Sequence, residues 1–175
     1  EFITWVNARA QPPKIVLDLK ERDVDTRIYD ELRDDTLRRQ VIVTTQHSAA
    51  IRRLTTAFPD IRIGLSRGHA AAGANPPVLR PWIVHLLRPL LFHWLLPQLR
   101  WSRATTVVIH HRLATRRNVR RFQLAGLRVY VWTVDDCLAA QQLARLRVDY
   151  IATNVPWLLR GCLGLFGDDY SSPSG

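Results

Sequence analysis

The chain has no methionine and little cysteine, lysine or glycine. Its 175 residues include 2 cysteines and 8 glycines, and Lys14 and Lys20 are the only lysines. Cys137 and Cys162 are too few and too irregularly placed for a disulfide framework or a zinc site. We therefore expect both to be small apolar residues in or near the core. Because no glycine-rich phosphate loop follows an apolar run, a nucleotide-binding open sheet is disfavoured.

Negative charge is scarce relative to positive charge. Lys and Arg number 25 against 15 Asp and Glu, which gives a formal net charge of +10. Such a balance attracts phosphate, anionic lipid or nucleic acid, but it does not determine a fold. The arginines are scattered through amphipathic stretches, without a DNA-binding motif or a basic strip with interleaved aromatic residues. We interpret them as solvated surface and do not expect a nucleic-acid partner.

The two ends of the sequence indicate a piece of a longer product. Residue 1 is Glu, residues 2–6 have the pattern of an element already under way, and no signal-peptide pattern occurs. Residues 167–175 are rich in Asp, Ser and Gly, and we predict a disordered tail there. Residues 1–166 are then one domain, long enough to bury a core.

Six short runs rich in β-branched residues predict strands that are buried on both faces. They are Ile15–Leu19, Val41–Thr45, Ile61–Leu65, Thr105–Ile109, Leu127–Thr133 and Tyr150–Thr153. Stretches with helical spacing lie between them, with Ser48 a candidate N-cap and Gly126 a helix stop. The alternation predicts an α/β protein with a parallel sheet. Both an open doubly wound sheet and most of an eight-stranded TIM-type (β/α)8 barrel fit this pattern.

A long apolar insertion near residues 76–102 interrupts the strand–helix alternation. Its central part, Pro81–Trp101, has about the length of a membrane span. However, His85, Arg88 and His93 interrupt it, and a bilayer core penalises such groups. We favour a pair of amphipathic helices that covers the barrel mouth, ahead of a helix on a membrane surface, and either ahead of a span.

Polar side chains collect at the ends of the predicted strands, where an α/β barrel carries its active site. Asp18 and Lys20 are two residues apart in the first run and so share one face of the strand. A charge pair within an apolar run is costly unless the charges are paired or bind a ligand. His110 and Trp132 end the fourth and fifth runs. The remaining strand ends carry Gln46 and His47, Ser66 and Arg67, His111, Asp135 and Asn154.

These groups could together recognise a phosphate beside a divalent cation. A carboxylate such as Asp18 binds a hard metal ion, and an ammonium such as Lys20 neutralises phosphate oxygens. Trp132 offers a flat apolar wall. Each polar pair can also simply mark the point where a strand meets a solvated loop.

Several segments resemble motifs of the glycerophosphodiester phosphodiesterase family. Val129–Asp135, after Gly126 and Leu127, resembles a pattern in which Gly-Leu leads to Val-x-x-Trp-Thr-Val-Asn. Val148–Pro156 resembles the closing Val-Asp-Gly-Ile-Ile-Thr-Asp-x-Pro, and Ile15–Lys20 resembles the third-strand Leu-Asn-Ile-Glu-Ile-Lys. The resemblance implies a barrel enzyme that hydrolyses glycerophosphodiesters to an alcohol and glycerol 3-phosphate.

The resemblance also implies roles for single residues. In the family, three carboxylates hold a calcium or magnesium ion, and two histidines act as general acid and base. Asp18 matches one metal ligand, Lys20 the lysine that meets the phosphate, and Trp132 the wall against the glycerol moiety; we add His110 as a substrate contact. The first-strand His-Arg-Gly and second-strand Glu-x-Asp have no match. We therefore expect an incomplete barrel of about six strands, strands three to eight, with an incomplete metal site and no catalytic histidine.

Three functional hypotheses follow. The first is a phosphodiesterase that is active as a complete protein but inactive as this chain alone. The second is a non-catalytic barrel remnant that binds anionic lipid head groups or a partner. The third is a phospholipase-type phosphodiesterase. The expected location is cytoplasmic or membrane-peripheral, with peripheral contact to an anionic membrane.

Overall fold

The computed structural model describes residues 15–21, 28–67 and 81–165, with the side chains of 81–89 excepted. The segment 2–6, the start of the insertion at 76–80 and the tail 167–175 lie outside these ranges, so the sequence predictions for them stay predictions. The assignment of 1–166 as one domain is likewise a prediction.

Within the described ranges, six parallel strands form one sheet, and each of them pairs with the next one along the chain. They are β1 (Ile15–Leu19), β2 (Val41–Thr45), β3 (Arg62–Arg67), β4 (Thr106–His110), β5 (Arg128–Trp132) and β6 (Tyr150–Ile151). The predicted runs locate all six, the first two without error and the others within two residues at either end. An unbroken parallel order with helical crossovers is the arrangement of a barrel wall rather than of a doubly wound sheet, whose strand order reverses. The fold is therefore an α/β half-barrel with a curled sheet.

The described residues also form six helices and two 3-10 turns, and the last helix follows the last strand. The helices are α1 (Asp35–Gln40), α2 (Ser48–Ala57), α3 (Pro81–Ser102), α4 (Arg116–Leu124), α5 (Cys137–Arg145) and α6 (Pro156–Cys162). The 3-10 turns are Glu31–Arg33 and His111–Leu113. The single helix expected after β1 is broken at Asp34, whose carboxylate caps α1 by accepting from the backbone N–H groups of Thr36 and Leu37. Such caps satisfy the unpaired amides of a first turn.

Two helix ends test the local signals in the sequence. Gly126 has φ +79°, a left-handed conformation that favours glycine, and it ends α4 as predicted. The predicted N-cap Ser48 is instead the first residue of α2, and the capping position is His47, which makes no side-chain cap. A one-residue shift of this kind is common because the boundary depends on backbone angles that the sequence does not fix.

The two faces of the sheet have different partners. Val43, Ile63, Val107 and Val131 point outward and join the helices in the main apolar core. The alternate residues point into the concave side, as the period of a strand requires. One of them is Gly64, where a Cβ would lie 2.7 Å from Cγ2 of Val108. The concave face therefore needs glycine at this point for β3 and β4 to keep their present packing.

The prediction of a helix pair over the barrel mouth was wrong. Pro81–Ser102 is one continuous helix, α3, and it packs against α2 and α4 in the outer helical layer. Leu91, Leu95 and Leu99 are buried at intervals of four residues, which puts them on one side of the helix. α3 is thus the crossover between β3 and β4. Among the described helices, none has the combination of length and apolar character that a membrane span needs.

The prediction for the two cysteines was also wrong. Cys137 at the start of α5 and Cys162 at the end of α6 form a disulfide, with Cα atoms 5.6 Å apart. Two cysteines that are 25 residues apart carry no spacing pattern, so only the packing of α5 against α6 brings them together.

Candidate functional site

The concave face carries a small cavity toward the carboxyl ends of the strands. Its volume is about 190 Å³. The lining side chains come from every strand or the residues directly after it: Val16, Asp18, Thr44, Ser66, Val108, Tyr130, Trp132, Thr133 and Ala152. In α/β barrels this end of the sheet carries the binding groups. The cavity is therefore the candidate site.

Asp18 and Lys20 form an ion pair on the concave side of β1. Their side chains are 36% and 59% exposed, so the pair is open to solvent rather than an internal salt bridge. Thr44, the register partner of Asp18 on β2, donates from Oγ1 to Asp18 Oδ1 at 3.1 Å. The carboxylate is thus held between a hydroxyl and an ammonium, while both charged groups keep a side that a ligand can reach.

A divalent cation has too few ligands among the described residues. No group of three His, Cys, Asp or Glu side chains comes together within those ranges. Calcium and magnesium take six or more oxygen ligands, usually including several carboxylates. Asp18 is one carboxylate, and Asp135 at the end of β5 already has both oxygens engaged by residues 153 and 154. The described residues alone do not fit a metal site.

His110 and Trp132 are register partners at the carboxyl ends of β4 and β5. The two rings meet edge to face with centroids 5.4 Å apart. This geometry suits the charge distribution of aromatic rings and holds the indole in one orientation. The backbone N–H of Arg112 donates to His110 Nδ1 at 3.2 Å. That bond places the proton of a neutral imidazole on Nε2, so His110 offers a hydrogen-bond donor.

Burial sets the charge state of the histidine pair. Desolvation, together with the nearby His111 and Arg112, lowers the pKa of His110 to about 4. The pKa of His111 is also lowered, mainly by burial, although a hydrogen bond with the backbone of Thr133 and the charge of Asp135 oppose the shift. Both rings are therefore neutral at pH 7, and neither acts as a cation toward phosphate.

Asp135 joins the ends of β5 and β6. Its carboxylate accepts from Thr153 Oγ1 at 3.0 Å, from the backbone N–H of Asn154 at 2.8 Å and from Asn154 Nδ2 at 2.8 Å. These bonds, led by the backbone N–H, hold the pKa of Asp135 below its usual value. The strand-end residues Asp135 and Asn154 thus bind each other and fix the rim of the cavity.

Of the other strand-end residues, Ser66 lines the cavity, whereas Arg67 and His47 do not. Arg67 ends β3 on the outer side, where its guanidinium donates to Gln46 O at 2.9 Å and to Gln98 Oε1. His47 lies beside β1, with Nε2 at 3.2 Å from Lys20 O. Both residues tie strand ends to neighbouring segments, as the simpler interpretation of polar strand ends expects.

The structure brings the predicted site residues to one concave surface but adds others. Asp18 and Trp132 line the cavity, Lys20 pairs with Asp18, and His110 packs on Trp132. Sequence reasoning missed Thr44 and Tyr130, and it named Ser66 only as a polar residue at a strand end. All three lie on the same face of the sheet as the predicted site residues. Thr44 pairs with Asp18, Ser66 is two residues after the partner of Thr44, and Tyr130 is two residues before Trp132.

Similar proteins are found by family and by structure. Residues 8–158 match the glycerophosphoryl diester phosphodiesterase family. No sequence among the curated proteins matches. Among solved structures, a glycerophosphodiester phosphodiesterase from Parabacteroides distasonis is 16% identical with a TM-score of 0.61, over 89% of this chain and 59% of that one. One from Agrobacterium tumefaciens is 18% identical with a TM-score of 0.59, over 93% and 60%.

A third neighbour was solved with a bound product. This phosphodiesterase from Oleispira antarctica, in complex with sn-glycerol-3-phosphate, is 14% identical with a TM-score of 0.60, over 86% of this chain and 56% of that one. The chain thus spans less than two thirds of the length of these three neighbours. Structural likeness at such low identity supports the half-barrel fold. The match over residues 8–158 carries the assignment, and the chain belongs to the glycerophosphoryl diester phosphodiesterase family.

Proposed function

We propose that the complete protein hydrolyses glycerophosphodiesters to an alcohol and glycerol 3-phosphate. The observation that carries this proposal is the family match, combined with a cavity at the carboxyl ends of the strands. The Oleispira antarctica neighbour, which holds sn-glycerol-3-phosphate, supports the same ligand class. The chain contributes the wall formed by its six strands, which would be strands three to eight of the barrel.

In this proposal Lys20 meets the phosphate. Its ammonium lies on the concave side, more than half exposed, and the carboxylate of Asp18 orients it. A phosphate oxygen entering the cavity would share that ammonium as a charge-assisted hydrogen bond. The ion pair therefore acts as a preformed binding site for the phosphate. It contributes little to stability, because exposed pairs stabilise a fold by roughly 0–1 kcal/mol.

Trp132 and His110 would form the opposite wall. The indole supplies a flat apolar surface for the carbon chain of glycerol, and the His110 ring fixes its orientation. The neutral His110 can donate from Nε2 to a hydroxyl or ester oxygen without attracting free phosphate. This division separates charge recognition on β1 from recognition of the glycerol moiety on β4 and β5.

Asp18 would contribute one carboxylate to a calcium or magnesium ion in the complete barrel. A carboxylate oxygen is a ligand that these hard cations prefer, but the other ligands would come from outside the described residues. Acid–base catalysis is likewise proposed for groups outside this chain, because the His-Arg-Gly motif of the family has no match in it; the chain alone would then be inactive. Neither a non-catalytic remnant nor a phospholipase-type enzyme is favoured by a particular contact in the structure.

A substrate panel tests the proposal. The protein, completed to the length of its structural neighbours, is incubated with calcium or magnesium and glycerophosphocholine, phosphatidylinositol or sphingomyelin. Release of glycerol 3-phosphate from glycerophosphocholine supports the proposal. Cleavage of the intact phospholipids alone indicates the phospholipase-type enzyme, and no cleavage of any of them indicates the binding remnant.

A further inference from the structure

The outer side of α3 carries an apolar stripe that faces solvent. Leu90, Trp94 and Trp101 are exposed to 56%, 59% and 52%, with the exposed Pro97 between the tryptophans. Their spacing of four, three and four residues aligns them on one side of the helix. The stripe is about 16 Å long at 1.5 Å per residue. Large exposed aromatic side chains in one line mark an interaction surface more often than scattered single residues do.

Arginine guanidinium groups lie against both tryptophans of the stripe. Arg52 of α2 sits over the Trp101 ring at 4.9 Å from its centroid, and Arg67 lies 6.0 Å from the centroid of Trp94. Exposed Arg53 and Arg100 flank the same region. The apolar stripe therefore has positive charge along its border.

Acidic residues are absent from both helices at this surface. Neither Ser48–Ala57 nor Pro81–Ser102 contains an Asp or a Glu. Beside the stripe, a groove of about 490 Å³ runs between α2 and Trp101. Its lining contains Arg52 and Arg53 and no carboxylate: Tyr29, Ala49, Arg52, Arg53, Thr56, Ala57 and Trp101. Charge complementarity therefore favours an anionic occupant.

We propose that this α2–α3 surface, defined by Arg52, Arg53, Trp94, Arg100 and Trp101, docks on an anionic lipid bilayer. Tryptophan favours the boundary between head groups and acyl chains, and arginines beside it meet lipid phosphates. The surface lies on the outer helical layer, while the cavity opens on the concave face, so docking leaves the candidate site uncovered. This inference goes beyond the proposed hydrolysis and does not require it, because vesicle binding involves no catalysis.

A second copy of the chain is a poorer occupant of the same surface. Tryptophan and arginine are also common in protein interfaces. However, two α2–α3 surfaces facing each other would bring together arginines without a carboxylate from either helix. Like charges at an interface are unfavourable, whereas a bilayer that contains anionic lipid supplies the missing negative charge.

Co-sedimentation with vesicles tests the proposal. The 175-residue chain is mixed with phosphatidylcholine vesicles and with vesicles of equimolar phosphatidylcholine and phosphatidylglycerol. Binding is expected to the second kind only, and added salt should weaken it. The Arg52→Glu/Arg53→Glu variant should bind at least about 30-fold more weakly, since it removes two basic residues that each contribute about 1 kcal/mol near such a surface. Trp94→Ser/Trp101→Ser should also lower binding.

Two matched controls distinguish vesicle binding through this surface from nonspecific attraction of a basic chain to the vesicle. Arg116→Glu/Arg117→Glu on α4 changes the net charge equally, and Trp157→Ser removes a tryptophan that is 64% exposed on α6. Both controls should keep most of the binding, and thermal unfolding checks that every variant folds. Equal loss in the α4 variant, equal binding to neutral vesicles, or no binding at all would overturn the proposal. Self-association that Trp94→Ser/Trp101→Ser abolishes would replace the bilayer with a second copy.

Discussion

Thr44 donates a hydrogen bond from Oγ1 to Oδ1 of Asp18 at 3.1 Å, across the β1–β2 pair. Thr44 is almost fully buried, whereas the carboxylate that it holds reaches the cavity. The other carboxylate oxygen, Oδ2, pairs with Lys20. The buried hydroxyl of Thr44 therefore helps to orient the Asp18 side chain and, through it, the Lys20 ammonium.

Thr44→Val should lower activity without removing a charged group. The substitution keeps the shape of the side chain but deletes the donor to a carboxylate, an interaction that contributes about 1.5–3 kcal/mol. We expect kcat/KM of the complete protein for glycerophosphocholine to fall by about tenfold. Thr44→Ser, which keeps the hydroxyl, is the matched control. Equal activity of the Val and Ser variants would contradict a positioning role for Thr44.

Stability should fall as the pH is lowered below neutrality because His110 is buried. Its pKa is about 4 in the folded protein against 6.5 for the ordinary side chain. Between these values the unfolded chain binds a proton that the folded chain does not, so the free energy of unfolding decreases as the pH falls. The decrease should begin near pH 6.5 and end near pH 4. Urea unfolding across this range measures it.

His110→Asn serves as the test variant for that pH dependence. Asparagine can still accept the backbone N–H of Arg112, the bond that His110 Nδ1 accepts in the structure. Part of the decrease should remain, because the pKa of His111 is also lowered. Asp135 does not contribute to the decrease in this pH range. Because its pKa is lowered, its protonation destabilises the folded chain only at a more acidic pH. An unchanged pH profile in the variant would show that His110 is not the buried group.

The disulfide between Cys137 and Cys162 should stabilise the last quarter of the chain. A loop closed by residues 25 apart is expected to contribute about 3 kcal/mol by restricting the unfolded chain. Urea unfolding of Cys137→Ser/Cys162→Ser against the oxidised parent measures the difference. A thiol assay of the parent under denaturing conditions should detect no free thiol. Two free thiols and equal stability would contradict the disulfide.

The redox state of these cysteines also bears on location. Reducing compartments keep most thiols unpaired, whereas secreted and periplasmic proteins retain disulfides. Thiol trapping in intact cells therefore distinguishes a cytoplasmic location from an oxidising one. Paired cysteines in cells would argue against the cytoplasm.

The strands were predictable because each is a short apolar run with clear boundaries. The central strands are buried on both faces, and β-branched runs such as Val41–Thr45 are too short for a typical helix. The structure of the insertion was harder to predict from the sequence. Its sequence shows where Pro81–Trp101 is apolar, but α2 and α4 decide which side of α3 is buried, and these partners are distant in sequence.

The positions of site residues were predictable when the residues share a strand. They were harder to predict when the residues lie on different strands. The spacing of Asp18 and Lys20 places them on one face of β1 without reference to any neighbour. Thr44 could be recognised only through the β1–β2 register, which depends on pairing rather than on local pattern. The prediction for the two cysteines was wrong for the same reason, because α5 and α6 meet only in the folded chain.

In the proposed function, the cavity wall of this chain binds the phosphate of a glycerophosphodiester through Lys20. The most direct test is release of glycerol 3-phosphate from glycerophosphocholine by the complete protein, comparing the parent with Lys20→Ala. Arg33→Ala, which removes an exposed cation paired with Asp30 away from the cavity, is the control. We expect kcat/KM to fall by at least about tenfold for Lys20→Ala, since a charge-assisted hydrogen bond to phosphate is removed, and to stay unchanged for Arg33→Ala. Equal activity of the parent and the Lys20 variant would contradict it.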